Sequence, residues 1–352
     1  MEINQIVGPD AASLRRQWLV LRDQNPTLRI RNAAQQLGVS EMSLLLTEPE
    51  DHVLRLKDTF SDIYASLSGL GRIMTLARND EVVHETIGTM TRFTVSAQGR
   101  MGLCLGDIDL RVFFSNWAHG YAVTDKGPKG DRHSLQFFDA SGAAVHKVYA
   151  VSATDMTAWQ ELVNRYLAET QRPEITESMA EKPARYKGFV DHDQLRNDWQ
   201  SITDVHEFHG MLKKHGLDRL TALESIGTDW AYPVATNALE VVLNRVASDS
   251  LPIMVFVGNK GIVQIYTGPV VRLVNIPGWF NVLDHDFNLH VSTGGISAVW
   301  VVKRPSEDGD ITSLDGFNRD GELVFSVFGA RKPGVPEMAR WRDVVASLDM
   351  MS

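Results

Sequence analysis

The sequence predicts an α+β protein made of two tandem structural repeats, each a large antiparallel sheet with flanking helices. Residues 73–88 align with residues 253–268 without a gap, at an offset of 180. Within each half, short β-rich runs are separated by glycine-containing turns, and an amphipathic helix ends the half. Strands grouped together with helices at their ends are typical of the α+β class.

The repeat continues past this first segment. After one residue of slippage, residues 108–112 match residues 287–291. The further matches at this second offset are Ser134 with Ser313, Phe138 with Phe317 and Gly142 with Gly321. A period this long indicates a duplicated domain rather than a solenoid, whose units span roughly 20–50 residues. Matched positions that differ in chemistry, such as Arg111 and His290, are candidates for an added function.

The beginning of the chain is predicted to be helical. Residues 11–23 carry apolar side chains at helical spacing, and Pro26 separates them from a second segment at 30–44. This second segment resembles the start of a helix-turn-helix, so it has two interpretations: a DNA-binding motif, or two packed helices joined by a glycine turn. The chain is acidic and lacks a basic recognition helix, which favours the packed helices.

The body of each half is predicted to consist of antiparallel hairpins. Residues 254–257 and 262–266 are β-rich runs on either side of a Gly-Asn-Lys-Gly turn, which is typical of a hairpin. A second hairpin is expected around Gly321, with Gly142 as its counterpart in the first half. Amphipathic helices are expected at 155–167 and 336–348.

A linker is predicted between the halves. Residues 169–188 contain two prolines and many charges, with little apolar periodicity. We therefore expect an N-terminal repeat at 1–170, a linker at 171–188 and a C-terminal repeat at 189–352.

Composition restricts the classes of function. The 352 residues are 43% hydrophobic and 22% charged, as in an ordinary globular protein. No apolar run approaches the roughly 18–20 residues of a membrane span, and the first residues lack the regions of a signal peptide. The single cysteine, Cys104, suits a reducing compartment. A net charge of −9 argues against a nucleic-acid partner. We expect a cytoplasmic protein without membrane insertion.

A short histidine-bearing helix is predicted at 204–216. Asp204 is a good N-cap, Glu207 completes a capping box, and Gly216 stands where a helix-ending glycine belongs. This helix places His206 in its first turn and His209 on nearly the same side.

The two histidines have a functional interpretation and a structural one. In the first turn the helix dipole favours the neutral imidazole, which is the form that binds metals. Zinc would require four donors, and no second cluster supplies them. Haem, which requires only one or two axial nitrogens, fits better. The alternative is a solvent-facing histidine pair on an ordinary helix.

Several further runs give the chain a family resemblance. Asp204-Val205-His206 is followed by Gly278-Trp279-Phe280-Asn281, by Phe287-Asn288-Leu289-His290 and by Phe328-Gly329-Ala330-Arg331-Lys332-Pro333-Gly334. With Ile108-Asp109-Leu110-Arg111, these runs resemble the hemin-degrading factor family, the HemS-like haem proteins of Gram-negative bacteria. The resemblance covers nearly the whole chain.

The resemblance implies a haem site between the second repeat's sheet and its histidine helix. It implies His206 as the axial ligand of haem (iron protoporphyrin IX), and we expect His209 to be an alternative ligand. Arg111 and Phe113 would contact the distal side, although a surface arginine at a strand end remains the other interpretation of Arg111. Phe256 would pack on the porphyrin. The cations expected near the propionates or the distal water are Lys303, Arg304 and Arg331.

The first half contains another candidate, His84, because some relatives are thought to bind a second haem there. A strand-end histidine without a function is the alternative for His84. The remaining histidines discussed at this stage are interpreted as structural: His119, His133, His285 and His290.

The resemblance leaves two functions open. The first is haem trafficking in iron acquisition, in which the protein accepts haem from an inner-membrane importer and delivers it to a haem oxygenase. The second is a haem-degrading enzyme that opens the porphyrin with oxygen and a reductant. A second histidine near the ligand favours transfer. The largely apolar run at 324–328 provides few proton donors besides Arg111, which also favours the carrier.

Overall fold

The structure is a computed structural model that describes residues 11–127, 130–172, 177–178, 185–186, 188–204, 207–332 and 334–351. The helices of the first half are α1 (Ala11–Gln24), α2 (Ile30–Leu37), α3 (Glu41–Leu45), α4 (Phe60–Ser66) and α5 (Met156–Tyr166). Those of the second half are α6 (His192–Gln200), α7 (Glu207–His215), α8 (Arg219–Ile226), α9 (Ala238–Ser248) and α10 (Ala339–Ala346).

The strands also divide equally between the halves. The first half contributes β1 (Val53–Arg55), β2 (Gly71–Arg78), β3 (Val82–Thr89), β4 (Phe93–Val95), β5 (Met101–Cys104), β6 (Asp109–Phe113), β7 (His119–Asp125), β8 (Arg132–Phe138) and β9 (Ala144–Thr154). The second contributes β10 (Ala231–Val234), β11 (Ile253–Asn259), β12 (Ile262–Gly268), β13 (Leu273–Ile276), β14 (Trp279–Leu283), β15 (Phe287–Ser292), β16 (Ala298–Arg304), β17 (Ile311–Phe317) and β18 (Leu323–Gly329).

The two sheets exchange strands. Sheet 1 has the order β1-β7-β8-β9-β2-β3-β15-β14-β13, and sheet 2 has the order β10-β16-β17-β18-β11-β12-β6-β5-β4. Each nine-stranded antiparallel sheet therefore takes six strands from one half and three from the other. The two orders are related by the repeat, so the α+β fold of two tandem repeats is confirmed. The expected division at 171–188 remains a prediction about the sequence repeats, because the sheets do not follow it.

The predicted hairpins and terminal helices are present. β11 and β12 pair around the turn at Asn259, and β17 and β18 pair around Gly321, whose φ is +78°. Helices α5 and α10 lie within the ranges expected to end each half. Asp155 caps α5 by accepting hydrogen bonds from the N–H groups of Thr157 and Ala158.

Each half begins with a trio of helices, α1–α3 in the first half and α6–α8 in the second. The last two helices of each trio are joined through a glycine in the left-handed region, Gly38 at φ +68° and Gly216 at φ +65°. Because the motif occurs in both halves and buries apolar side chains against a sheet, it is a packing unit of the repeat. This agrees with the packed-helix interpretation of residues 30–44.

The apolar core lies on the inner faces of the sheets. One cluster joins inner residues of sheet 2 and of the exchanged strands β14 and β15 to α9 and α10. A second does the same for sheet 1, β5 and β6 with α4 and α5. The helical trios cover only part of the opposite faces, which we call the outer faces. Part of the outer face of sheet 2 stays open, and the candidate site lies there.

Candidate functional site

The register of sheet 2 places several of the predicted residues on its outer face. Phe256 pairs with Ile265, and Ile265 pairs with Asp109. Arg111 lies two residues beyond Asp109 on β6, so it points to the same side, as does Phe113. The adjacent residues Leu110 and Val112 belong to the inner core. A strand of the first half therefore brings Arg111 and Phe113 to the face that carries Phe256.

An aromatic pair forms the open surface of this face. The rings of Phe256 on β11 and Phe328 on β18 are 5.1 Å apart between centroids, at an interplanar angle of 64°. Both side chains are half-buried although they lie in central strands. Half-exposed aromatic rings in the middle of a sheet can receive a flat apolar ligand without rearranging the core.

Arg111 is held in place by an acidic neighbour. Its guanidinium forms an ion pair with the Asp109 carboxylate, and both groups are partly buried. Burial raises the pKa of Asp109, although the charge of Arg111 acts in the opposite direction. Arg111 is thus a hydrogen-bond donor with a fixed orientation beside the aromatic pair.

The predicted histidine helix is present as α7. The Glu207 carboxylate accepts hydrogen bonds from the backbone N–H groups of Thr203 and Asp204, at 2.9 and 3.1 Å. These bonds form one half of the expected capping box, and they lower the pKa of Glu207. Val205 and His206 lie outside the described residues. His209 is exposed on α7.

Phe208 anchors α7 to the outer face of sheet 2. Its ring is buried, and the guanidinium carbons of Arg304 and Arg219 lie 4.6 and 5.1 Å from its centroid. Both guanidinium groups donate to the same Asp315 oxygen, at 2.7 Å from Arg304 and 3.1 Å from Arg219. We call Phe208, Arg219, Arg304 and Asp315 the anchor cluster.

The buried charges of the anchor cluster stabilise one another. Burial lowers the pKa of Arg304 to about 10, although Asp315 acts in the opposite direction. Burial by itself would raise the pKa of Asp315, but the two guanidinium groups hold it below its usual value. The cluster is therefore an ionic connection between the helical trio and the sheet.

The three cations expected near the propionates have different positions. Arg304 is on the outer face, but it is only 4% exposed and is bound to Asp315. Lys303, its neighbour on β16, points to the opposite face of the sheet. Arg331 follows β18 and is half-buried, with its Nη1 3.9 Å from Asp308 Oδ2. That buried Nη1 has no hydrogen-bond partner among the described residues, so its N–H could donate to an anionic oxygen of a ligand.

The corresponding face of sheet 1 carries different side chains: Leu76 and Tyr149, both half-buried, stand where sheet 2 has Phe256 and Phe328. The pair Leu76–Lys147 in sheet 1 is the repeat counterpart of the pair Phe256–Ser326 in sheet 2. Lys147 is 7% exposed and forms an ion pair with Glu41, the first residue of α3. The ion pair therefore lies where the second half has the buried Ser326. His290, the counterpart of Arg111, donates from Nδ1 to Asn281 Oδ1 at 2.7 Å.

His84 is not on a surface. It lies within β3, is 0% exposed, and its Nδ1 is 2.9 Å from Gln264 Nε2. The Gln264 Oε1 is 3.0 Å from His146 Nε2, and Tyr64 reaches the other nitrogen of His146. Since His84 and Gln264 are repeat counterparts in contact, they mark the pseudo-twofold axis. His84 is a core residue, and its position inside the strand differs from the expected strand end.

A cleft of about 580 Å³ borders the candidate site. Phe256 and Val263 line it, together with Arg219, Lys260 and residues of the first half such as Arg78. Within the described part of the chain, no group of three His, Cys, Asp or Glu side chains could hold a metal ion by itself. The described residues also contain no helix long and apolar enough to cross a membrane.

The outer face of sheet 2 fits a haem. A porphyrin requires an apolar surface, a donor on one side and cations near its carboxylates. The paired rings, Arg111 and, beyond the end of β18, Arg331, whose Nη1 has no hydrogen-bond partner among the described residues, provide these features. The sequence alone did not identify four residues of this site: Phe328, Phe208, Arg219 and Asp315. Alternation along β17 and β18 could have placed Phe328 on this face, but the strand pairing was needed to place the others.

Known proteins resemble this chain over nearly its whole length. The model of the haemin-degrading HemS.ChuX domain family matches residues 38–166 and 216–348. The hemin transport protein HemS of Yersinia enterocolitica is 34% identical over 339 residues, which cover 96% of this chain and 97% of that protein.

Two solved structures are similar in fold as well as in sequence. The crystal structure of holo-PhuS, a heme-binding protein from Pseudomonas aeruginosa, superposes with a TM-score of 0.93 at 42% identity. This match covers 97% of this chain and 100% of that chain. The heme degrading enzyme ChuS of Escherichia coli O157:H7 gives a TM-score of 0.89 at 35% identity, covering 96% and 99% of the two chains.

Proposed function

Because the chain belongs to the haemin-degrading HemS.ChuX domain family, we propose that it binds haem on the outer face of sheet 2 and carries it within the cytoplasm. In this proposal it accepts haem from an inner-membrane importer and delivers it to a haem oxygenase. The single cysteine, which is unpaired and buried, is consistent with a reducing compartment.

The open aromatic pair is the observation that carries the proposal. Phe256 and Phe328 form a half-buried aromatic pair on this face, whereas sheet 1 has Leu76 and Tyr149 in their place, next to the Glu41–Lys147 ion pair. A pair of half-exposed aromatic rings in only one of two equivalent positions indicates a flat apolar ligand there. Relatives named for heme binding and hemin transport support haem as that ligand.

The site residues have separate proposed roles. His206 would provide the axial nitrogen and His209 an alternative one. Phe256 would contact the porphyrin face, and Arg111 and Phe113 would contact the haem from the same face of the sheet, on the side away from His206. Arg331 would meet a propionate, and Lys303 and Arg304 remain the other proposed cations.

Carrying is favoured over degradation by the few proton donors on this face. The β18 residues that face the site are Val324, Ser326 and Phe328, and Ser326 is buried. Arg111 is already paired with Asp109. Degradation remains the alternative because ChuS is named a heme degrading enzyme. In that case the bound iron would supply the redox chemistry, and Arg111 would hold water or oxygen.

The ligand assignment is tested by titrating the purified protein with hemin. We expect one hemin per chain, and we expect His206→Ala to shift the Soret band and weaken retention by roughly 10- to 100-fold. His209→Ala should keep the resting spectrum and slow transfer to an acceptor. Two variants that both behave like the wild type would show that the helix assignment is wrong.

The aromatic surface has a matched control in the other half. Phe256→Ala should weaken hemin binding by about tenfold or more, since a buried aromatic ring contributes roughly 1.5–3 kcal/mol. Leu76→Ala, at the repeat counterpart, should leave hemin affinity unchanged. Equal losses in the two variants, measured by fluorescence quenching, would contradict the placement of haem on sheet 2.

A turnover assay distinguishes haem degradation from haem transport. The hemin-loaded protein is incubated with ascorbate and catalase, and the Soret band is followed. We expect a slow, non-specific decay. Rapid loss of the band with release of iron and of a single defined tetrapyrrole would establish the enzyme instead.

A further inference from the structure

The histidine helix contacts charged side chains of the sheet and of α8 through Phe208, in addition to the apolar contacts of Met211 and Leu212. Phe208 lies between His206 and His209 in the sequence, and its buried ring contacts Arg304 and Arg219. Trp199 of α6 supports the same ring edge-on, with centroids 4.9 Å apart. A shift of Phe208 would therefore move the first turn of α7, which carries His209 and directly follows His206 in the sequence.

Asp315 orients both guanidinium groups of this contact. The carboxylate has no exposed surface, and one oxygen accepts from Arg304 at 2.7 Å and from Arg219 at 3.1 Å. Arg304 has almost no freedom to turn away, since its side chain is 5% exposed. The positions of the ring and of α7 thus depend on one buried acid in β17.

The first half contains the same device with the charges reversed. The first residue of α8 is Arg219, which pairs with Asp315 of the sheet, and the first residue of α3 is Glu41, which pairs with Lys147 of the sheet. Each pair fastens a helical trio to its sheet. Only the second trio carries the histidine helix, so the two devices can be compared directly.

We propose that Asp315 is a positioning residue that, through Arg219, Arg304 and Phe208, sets the orientation of the histidine helix for haem ligation. This inference rests on the proposed function. Haem ligation requires the imidazole to be placed to within a fraction of an ångström, so a side chain that contacts no ligand can control it.

The test compares Asp315→Asn with Glu41→Gln, which neutralises the acid of the corresponding ion pair in the first half. Asp315→Asn should change the Soret band and the ferric electron paramagnetic resonance spectrum of the hemin-loaded protein. It should also speed hemin transfer to apomyoglobin at least tenfold. Glu41→Gln should keep the wild-type spectra and transfer at a rate within twofold of the wild type. Unchanged spectra and rate in Asp315→Asn, or equal changes in both variants, would overturn the inference.

A second readout does not depend on haem. In the apo protein, hydrogen exchange of α7 should be at least tenfold faster in Asp315→Asn than in the wild type, and unchanged in Glu41→Gln. If the wild type did not bind hemin, the proposed function would be wrong. The hydrogen exchange of α7 would still test whether Asp315 positions this helix. Unchanged exchange in α7 would overturn the inference.

Phe208→Leu provides an independent variant if Asp315→Asn does not fold. It keeps an apolar side chain in the core but removes the ring between the arginines and α7. We expect the same spectral change and the same faster transfer as for Asp315→Asn. Wild-type behaviour of this variant would equally overturn the inference.

Discussion

At the scale of single residues, the centre of the molecule depends on a buried polar chain. Tyr64, His146, Gln264 and His84 form consecutive contacts of 2.5, 3.0 and 2.9 Å with little or no exposure to water. Burial lowers the pKa of His146 to about 4 and that of His84 to about 3. Both rings are therefore neutral in the folded protein at ordinary pH.

These two histidines should make stability depend on pH. An unfolded histidine has a pKa of about 6.5, so below that pH the unfolded chain binds protons that the folded chain does not. Their stabilising contribution is complete above about pH 6.5 and is lost as the pH falls towards the folded pKa values. At pH 5, each of the two histidines should lower the unfolding free energy by about 2 kcal/mol relative to pH 7. Urea denaturation at the two pH values measures this difference.

The repeat supplies the control for this prediction. Phe325 is the counterpart of His146, so His146→Phe installs the residue that the other half uses. This variant should be less stable at pH 7, because Gln264 and Tyr64 lose their partner. Its loss of stability between pH 7 and pH 5 should be smaller than the wild type's by about 2 kcal/mol. An equal pH dependence would show that His146 does not titrate in this way.

At the scale of elements, two hairpin turns fasten the halves together. Asn79, at the β2–β3 turn, donates to the carbonyls of Gly258 and Val324 at 3.2 and 2.8 Å. Asn259, at the β11–β12 turn, donates to those of Arg78 and Val145 at 2.9 and 2.8 Å. Each amide also accepts a backbone N–H of its own turn. The two sets of contacts are related by the repeat.

Replacing either asparagine by alanine should therefore have nearly the same effect. We expect Asn79→Ala and Asn259→Ala each to lower the unfolding free energy by about 2–3 kcal/mol, since partly buried carbonyls lose their donors. Asn164→Ala, on the exposed side of α5, should stay within about 0.5 kcal/mol of the wild type. Chemical denaturation measures all three. A large difference between the two turn variants would contradict their equivalence.

At the scale of the whole molecule, the exchange of strands makes the halves interdependent. Strand β6 of the first half pairs with β12, and β5 and β4 extend that sheet further; β15 of the second half pairs with β3, and β14 and β13 extend the other sheet. The exchanged strands still bury side chains in the core of their own half, so the two halves are joined mainly through the pairing of their strands. A half by itself would leave the edges of β3 and β6, or of β12 and β15, unpaired.

We therefore expect residues 1–170 and 189–352, produced separately, to give no folded monomer. Mixed together, they should recover the circular dichroism and the sedimentation of the intact chain as a one-to-one complex. The exchanged strand β6 carries Arg111, so only the complex should bind hemin like the intact protein. A monomeric half with a cooperative unfolding transition would show that the exchange is not required for folding.

The sequence was sufficient for the features that depend on local spacing. The hairpin around Asn259 and the capped helix α7 follow from turn and cap residues, and the duplication predicts two equivalent sheets. Alternation along β6 and β11 indicates which residues share a face within a strand. Family resemblance then added the candidate Phe256 and gave roles to Arg111 and His206, which the repeat and the capped helix had already indicated.

Only the tertiary structure decided which strands share a sheet and which charges are used up in the fold. Strand exchange joins Arg111 to Phe256 across the two halves, and a repeat in the sequence is equally consistent with two separate sheets. The sequence likewise gives no indication that Arg304 is bound to Asp315 or that His84 lies on an axis. These are contacts between residues far apart in the chain, and they depend on packing geometry rather than on local propensity.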